Sequence, residues 1–339
     1  MVNIYNFFSI DYNLTFTGDL YRKEGLETYY LYSGIFILET ILTNKKYIHN
    51  LFNSLLLVEV IMAIIDLINN SFTFSLMHNQ EPYTGIFSQF NHYGYYLIFG
   101  VIISIFMFLN NKSKIKYLYL IIYSFLLYIL ILNDTFGCFL ALFLTIIMIF
   151  IYNLVIKKEV KKFIPIIIIF LLISCITYRD NKNVVFKNVN GFISDIEIMI
   201  GIKEKEKSFD KIGTSRGILW RYGIKYIAES PVIGYGLEVI QIKYHKDCVN
   251  QSRPHNILIQ FGVASGIIGI MLYISFIFII LYRSLKKVKK LDNNSICLLF
   301  IVICYLISSM FGNSMFYTTP YFIICLGLLA SNTFYKKSL

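Results

Sequence analysis

"SRPHNILIQFGVASGIIGIMLYISFIFIILYR", residues 252–283, decides the fold. After its first five residues it is almost entirely apolar over more than the roughly 20 residues that cross a bilayer as a helix. Its opening is different in kind. Arg253, Pro254, His255 and Asn256 stand at the mouth of an oily helix. Pro254 suits the first helical position, because its missing N–H would find no partner there anyway. This places His255 and Asn256 in the first turn, where exposed N–H groups attract anions and disfavour an imidazolium. Further on, Gly262, Ser265, Gly266 and Gly269 repeat small residues at helical spacing, the pattern of close helix packing.

The rest of the chain agrees with a membrane setting. Its 339 residues are 57% hydrophobic and 15% charged, against about 25% charged in soluble domains. Mean hydropathy is +0.63. Nine apolar stretches read as spans, near 28–43, 51–69, 92–109, 115–132, 137–155, 163–179, 255–282, 295–311 and 319–335. The first is the weakest, being short and holding Glu39. The fold class expected is all-α, a polytopic helical membrane protein of about nine spans forming a single integral-membrane domain over 1–339, with one large extracytoplasmic loop at 180–253 between spans six and seven.

Charge sets the orientation. Lys45–Lys46, Lys112/Lys114/Lys116, Lys157/Lys158/Lys161/Lys162, Arg283 to Lys290 and Lys336–Lys337 fall on one set of connections, whereas 70–91, 133–136 and 312–318 contain no Lys or Arg. Basic short loops stay in the cytoplasm. The C-terminus is therefore expected inside and the long loop outside. The N-terminus then also falls outside without an export signal, so either 28–43 is not a true span or the chain lacks helices that once preceded it. The net charge of +11 is a topology signal and not a nucleic-acid footprint. Five of the six cysteines lie in apolar runs, and no pairing framework or CxxC metal spacing appears.

The long loop contains "GTSRGILWRYGIKYIAESPVIGYG" (213–236). Thr214 or Ser215 can cap a helix that Pro231 stops. Ile218, Leu219, Tyr222, Tyr226 and Ile227 give it one apolar face, suited to the membrane interface, as is Trp220. Arg216 falls in the first turn, and Arg221 lies farther along. An arginine fork binds phosphate oxygens two at a time. In the second span, Glu59 and Asp66 share a face; such acids can mark an ion path, the main support for a transport reading.

Taken in order, "SRGILW…IAESPVIGYG" and "RPHNILIQFGVASGIIG" resemble the C-terminal module of the O-antigen ligase and polysaccharide polymerase superfamily. The matching positions are Arg216, Trp220, Pro231, Gly234, Gly236, His255, Asn256, Gly266 and Gly269. "GIFSQFNHYGYYL" (85–97), "LNDTFGCFLALFL" (132–144) and "GDLYRKEGLETYY" (18–30) resemble its upstream segments. Phe136 departs from the pattern, standing where many members have an arginine.

The resemblance implies a metal-independent, GT-C-like membrane glycosyltransferase without cofactor. Its donor would be an undecaprenyl-diphosphate-linked oligosaccharide and its acceptor a saccharide, on the outer face of the cell membrane. The motifs do not decide between polymerase and ligase; the Ile/Lys/Asn-rich composition favours a polymerase of surface or capsular polysaccharide. Polysaccharide export and chain-length proteins are the implied partners. His255 and Arg216 are the expected catalytic residues; Arg221, Arg253, Asn256, Trp220, Asn91 and Tyr93 are the expected substrate contacts. The alternatives are a flippase or transporter of lipid-linked oligosaccharide, and a truncated, inactive member.

Overall fold

Residues 9–20, 22–41, 45–71, 83–87, 89–180, 190, 194, 197, 212–312 and 316–334 are described in a computed structural model of the chain. Twelve α-helices lie among them: α1 (Tyr12–Thr17), α2 (Leu26–Ile41), α3 (Lys45–Ser71), α4 (Phe90–Asn110), α5 (Lys116–Leu132), α6 (Phe136–Tyr152), α7 (Val160–Asp180), α8 (Ile212–Glu229), α9 (Ile240–Lys246), α10 (Ile257–Lys286), α11 (Asn293–Ser309) and α12 (Thr319–Phe334). No strand occurs among the described residues. Among the described residues, five helical stretches are long and apolar enough to cross a membrane: Lys46–Ile68, Phe90–Asn110, Phe136–Lys157, Val160–Thr177 and Ile257–Lys286. Lys116–Leu132, Asn293–Ser309 and Thr319–Phe334 are apolar but shorter. The chain is an all-α polytopic membrane protein. Each expected span coincides with a helix, and length and composition alone carry five of them as crossings.

The chain divides into two compact units. One comprises Leu38–Val185, Tyr282–Ser308 and Tyr321–Leu339. Its centre is α4, which is hydrophobic around its whole circumference and buried along nearly all its length. A helix of that kind must be enclosed by others, and α3, α5, α6 and α7 all pack against it. Tyr305 of α11 stacks on Phe322 of α12 at 4.5 Å between centroids, and the Tyr95 hydroxyl donates to the Ser308 carbonyl at 2.8 Å. The intramembrane acids are used inside this unit. Asp66 accepts from the Gly85 N–H at 3.3 Å, in the short 3₁₀ turn before α4. Glu59 is fully buried against the backbone of Gly100, where an added Cβ would lie 1.8 Å from Oε2.

The other unit comprises Met1–Ile37, Phe186–Leu281 and Ser309–Pro320. Its core joins Leu219 and Tyr226 of α8, Ile240 and Tyr244 of α9, Val249 and Val263. The apolar face of α8, expected to rest on the membrane, therefore packs inside the protein. Tyrosine hydroxyls fasten this core: Tyr244 donates to the Leu219 carbonyl at 2.7 Å, and Tyr226 to Asp247 at 2.8 Å. Helix α8 begins at Ile212, so Thr214 and Ser215 stand inside it rather than at its cap, and Arg216 belongs to the second turn.

Helix α10 is broken where the sequence predicts only close packing. Gly266 adopts φ 65°, ψ −168°, a conformation outside the helix. The break frees backbone groups that must find partners. The turn after α8 supplies them. Tyr235 and Gly236 donate their N–H groups to the carbonyls of Val263 and Ala264, each at 2.9 Å, and Ile267 N–H donates to Pro231 at 2.7 Å. A Cβ on Gly266 would lie 2.4 Å from the Val232 carbonyl oxygen, and one on Gly234 (φ 75°) would lie 2.6 Å from Ala264. The Pro-x-x-Gly-x-Gly turn and the glycine of α10 thus form one docked backbone unit. Gly262 does follow the packing expectation, receiving Ile227 of α8.

Gly266→Ala should lower the stability of the detergent-solubilised protein by about 1–3 kcal/mol, seen as a fall in thermal midpoint. Gly34→Ala, at an open helical position with nothing within 4 Å, should leave the midpoint unchanged or higher.

Candidate functional site

Arg216 and Trp220 lie four residues apart on α8 and so share a face. The indole Nε1–H of Trp220 donates to the Pro254 carbonyl at 2.9 Å. This ties α8 to the residue just before His255. The tie brings the two expected catalytic residues together: Arg216 and His255 line one cleft of about 400 Å³, with Leu219, Cys248, Asn250 and Gln251 on its walls. Its volume lies in the range of small-ligand sites, about 300–1,000 Å³.

His255 is not in the first turn of α10. The helix starts at Ile257, and His255 holds a left-handed backbone with φ 52° just before it. Asn256 is the cap: its Oδ1 accepts from the N–H groups of Leu258 and Ile259 at 3.0 and 3.1 Å. Its Nδ2 donates to the Met310 carbonyl at 3.2 Å. Two first-turn donors are therefore taken by Asn256 and do not form the anion site expected at this helix end. The amide instead fixes where the helix begins, and so where His255 leaves it.

Arg253 is 1% exposed. Its Nη1 lies 3.7 Å from Glu24 Oε2, and its Nη2 donates to Glu238 Oε1. Both carboxylates are themselves buried. Tyr32 adds a hydrogen bond to Glu24 at 2.8 Å, and Arg22 donates to Ser252 next door. Arg253 is thus placed as the keystone of a buried ion triad under the loop that carries His255, and does not line the cleft. The N-terminal segment holds the same region from another side. Thr15 donates to the Leu237 carbonyl at 3.2 Å, and Ile10 N–H donates to Tyr235 at 3.3 Å.

The remaining expected contacts are distributed differently. Arg221 is exposed, its guanidinium 5.7 Å from the Tyr222 ring, and it does not line the cleft. Trp220 is half-buried and serves the Pro254 tie. Asn91 and Tyr93 belong to the other unit. Tyr93 there is fully buried, with its ring packed against Gly85 and Phe87. Next to it, Asn133 donates to the carbonyls of Tyr83 and Phe90 at 2.7 and 3.1 Å. Between α5 and α6 the cap position is Thr135, while Asp134 takes a left-handed turn. Sequence reasoning missed Glu24 and Glu238 as parts of the site's support. Their pairing with Arg253 joins residues far apart in the chain, and no local spacing announces it.

The sequence profile of the O-antigen ligase family matches residues 99–274. The chain belongs to that family. A protein of Rickettsia conorii (strain ATCC VR-613 / Malish 7), named as a candidate polysaccharide ligase, is 27% identical over 105 residues, 28% of this chain and 25% of the relative. The chain's match thus spans about a quarter of that relative's length. The O-antigen ligase match takes in Arg216, Trp220, Arg253, His255, Asn256 and the Gly266 break, while Asn91, Tyr93, Glu24 and the N-terminal segment lie before it.

Burial pushes the Glu238 carboxyl above the usual carboxylate range; Arg253 draws it back down, and Glu24 adds to the rise. A carboxyl raised on folding keeps its proton longer in the folded chain than in the unfolded one. Its contribution to stability is therefore full below the unfolded value and falls as pH rises through the folded value. Removing Arg253 takes the paired cation away from two buried carboxylates. Arg253→Ala should cost about 3–5 kcal/mol near neutral pH. Part of that loss should return near pH ~5 as the carboxyls take up protons. Thermal midpoints of variant and parent at the two pH values check both the size and the sign.

Proposed function

We propose that the chain is a membrane glycosyltransferase that transfers undecaprenyl-diphosphate-linked oligosaccharide repeats to a saccharide acceptor, without a metal, on the outer face of the cytoplasmic membrane. The observation that carries this reading is the cleft shared by Arg216 and His255. Family membership supports the reaction class, and the lysine-rich short loops support placing the C-terminus in the cytoplasm and the cleft outside.

The chemistry follows from the two side chains. The acceptor hydroxyl attacks the anomeric carbon of the donor sugar and forms the new C–O bond. The bond from that carbon to the diphosphate oxygen breaks, and its electron pair leaves on the diphosphate. His255 takes the hydroxyl proton as general base. Arg216 meets the charge that grows on the leaving diphosphate, a task for which its fork suits phosphate oxygens. Asn256 fixes the helix start beside His255. Arg253 acts from beneath, holding the loop that presents the histidine. Arg221 and Trp220 border this region, Arg221 as an exposed cation at its edge. Asn91 and Tyr93 belong to the other unit and are given no part in this cleft. The favoured product is a polymer of surface or capsular polysaccharide, with export and chain-length proteins as partners.

His255→Ala in the intact, membrane-inserted protein should abolish elongation, with a loss of at least about 10²-fold, while lipid-linked repeat accumulates. Normal product lengths in that variant would overturn the base assignment. Arg216→Lys keeps the charge and loses the fork. Donor turnover in that variant should fall by roughly tenfold or more, and parental turnover would argue against a two-point diphosphate contact. Reconstitution with purified lipid-linked repeat separates the reaction from transport: longer saccharides appear in the first case, and relocated but unchanged substrate in the second.

A further inference from the structure

A second, larger cleft of about 690 Å³ adjoins the first. Its walls come from α9 and from the loop that follows, and Val249, Asn250 and Gln251 belong to both clefts. A ligand seated in the second therefore lies against the same wall as one seated beside Arg216 and His255. A group-transfer reaction needs this relation between its two substrates. The donor's reacting carbon and the acceptor's hydroxyl must meet in a near-attack arrangement, each held by its own contacts.

The lining has a definite chemistry. Gln241, Asn250 and Gln251 present amides, each both donor and acceptor, and Ser252 adds a hydroxyl. Neighbouring hydroxyls of a pyranose ring ask for this alternation. Ile242 and Val249 supply a small apolar surface for the ring's C–H face. The loop is braced from below, since Arg22 donates to Ser252 and the next residue, Arg253, is locked in the buried triad. The cleft wall is thus held in shape before any ligand arrives, which reduces the ordering cost of binding.

Charge narrows the ligand further. On and around α9, Lys243 is taken by Glu229 at 2.6 Å, and Asp247 by Lys225 at 3.2 Å and by Tyr226. Glu238 is buried against Arg253. His245 and Lys246, both exposed on the cleft wall, make no ion pair among the described residues. The cleft therefore offers the Lys246 ammonium, the His245 imidazole and amides together, with Glu229, Asp247 and Glu238 already engaged.

We propose that this second cleft is the acceptor subsite, and that it takes a saccharide carrying an anionic substituent, a carboxylate or a phosphate, at the His245–Lys246 end. The inference rests on reading the first cleft as the donor and reaction site. The bound saccharide points a free hydroxyl over the Val249–Gln251 wall toward His255, and its anionic substituent is held away from the diphosphate of the donor.

The test uses the full chain in nanodiscs and calorimetric titration with three probes: a hyaluronan tetrasaccharide, which carries uronate carboxylates; a mannose-6-phosphate-capped dimannoside; and neutral chitotetraose. At least one anionic probe should bind more tightly than chitotetraose by roughly threefold or more, and the one that does identifies carboxylate or phosphate as the source. Lys246→Ala should erase that preference and Lys246→Arg should keep it. Equal binding of all three probes, no binding of any, or an unchanged preference in Lys246→Ala would each overturn the proposal. A parallel measurement keeps the two readings apart. Cys248 is exposed on the wall of the first cleft, so farnesyl diphosphate bound beside Arg216 should slow its alkylation by maleimide. If that protection fails while an anionic saccharide still binds, the donor reading falls and the saccharide site stands as a binding site only. If protection holds and no saccharide binds, the acceptor subsite falls by itself.

Discussion

The Arg253 guanidinium lies out of water between two carboxylates, and the arrangement of the unit that holds the cleft depends on it. A buried cation is tolerated only when its donors and charge are met by partners in good geometry. Glu24 comes from the segment before α2, Glu238 from the turn before α9, and Arg253 from the loop before α10. The N-terminal segment must therefore meet the 238–253 stretch, far along the chain, to complete the triad. Their convergence places His255 two residues beyond the arginine and draws the N-terminal segment over the 235–238 turn through Thr15 and Ile10.

The break at Gly266 completes this support from the other side. A continuous helix would have kept the carbonyls of Val263 and Ala264 in its own ladder. Because the ladder is interrupted, those carbonyls accept from the turn that ends α8. Helix α8 is thereby fixed at its C-terminal end by the Pro231–Gly236 turn and at its middle by the Trp220 indole at the Pro254 carbonyl. Arg216 then faces the same cleft as His255. Of the acids that favoured a transport reading, Asp66 holds the 3₁₀ turn at Gly85, and Glu59 lies buried against Gly100. Both act inside the helical unit built around α4.

Much of this was legible before the structure. Long apolar runs bounded by lysines pointed to the helices, five of which are long and apolar enough to cross a membrane among the described residues, because bilayer thickness and charge asymmetry act on local composition. The spacing of Arg216 and Trp220 announced a common helix face. Other features escaped for physical reasons. Pro254 suits a helix start, but Asn256 is the better cap, and its amide moved the start to Ile257 and left His255 in a left-handed turn. Gly266 looked like a packing glycine because φ cannot be read from spacing. The face of α8 looked interfacial because periodicity says that a face is buried without saying in what. Arg253 looked like a substrate contact because its partners, Glu24 and Glu238, are brought to it only by the tertiary fold.

The central claim is that a diphosphate-linked donor sits in the cleft between Arg216 and His255. The most direct measurement is the structure of the full chain in nanodiscs, bound to an inert phosphonate analogue of a short polyprenyl-diphosphate-linked saccharide. The account predicts phosphonate density against the Arg216 guanidinium, with the first sugar beside the His255 imidazole. Density for the phosphonate groups at a position that neither residue lines would contradict it.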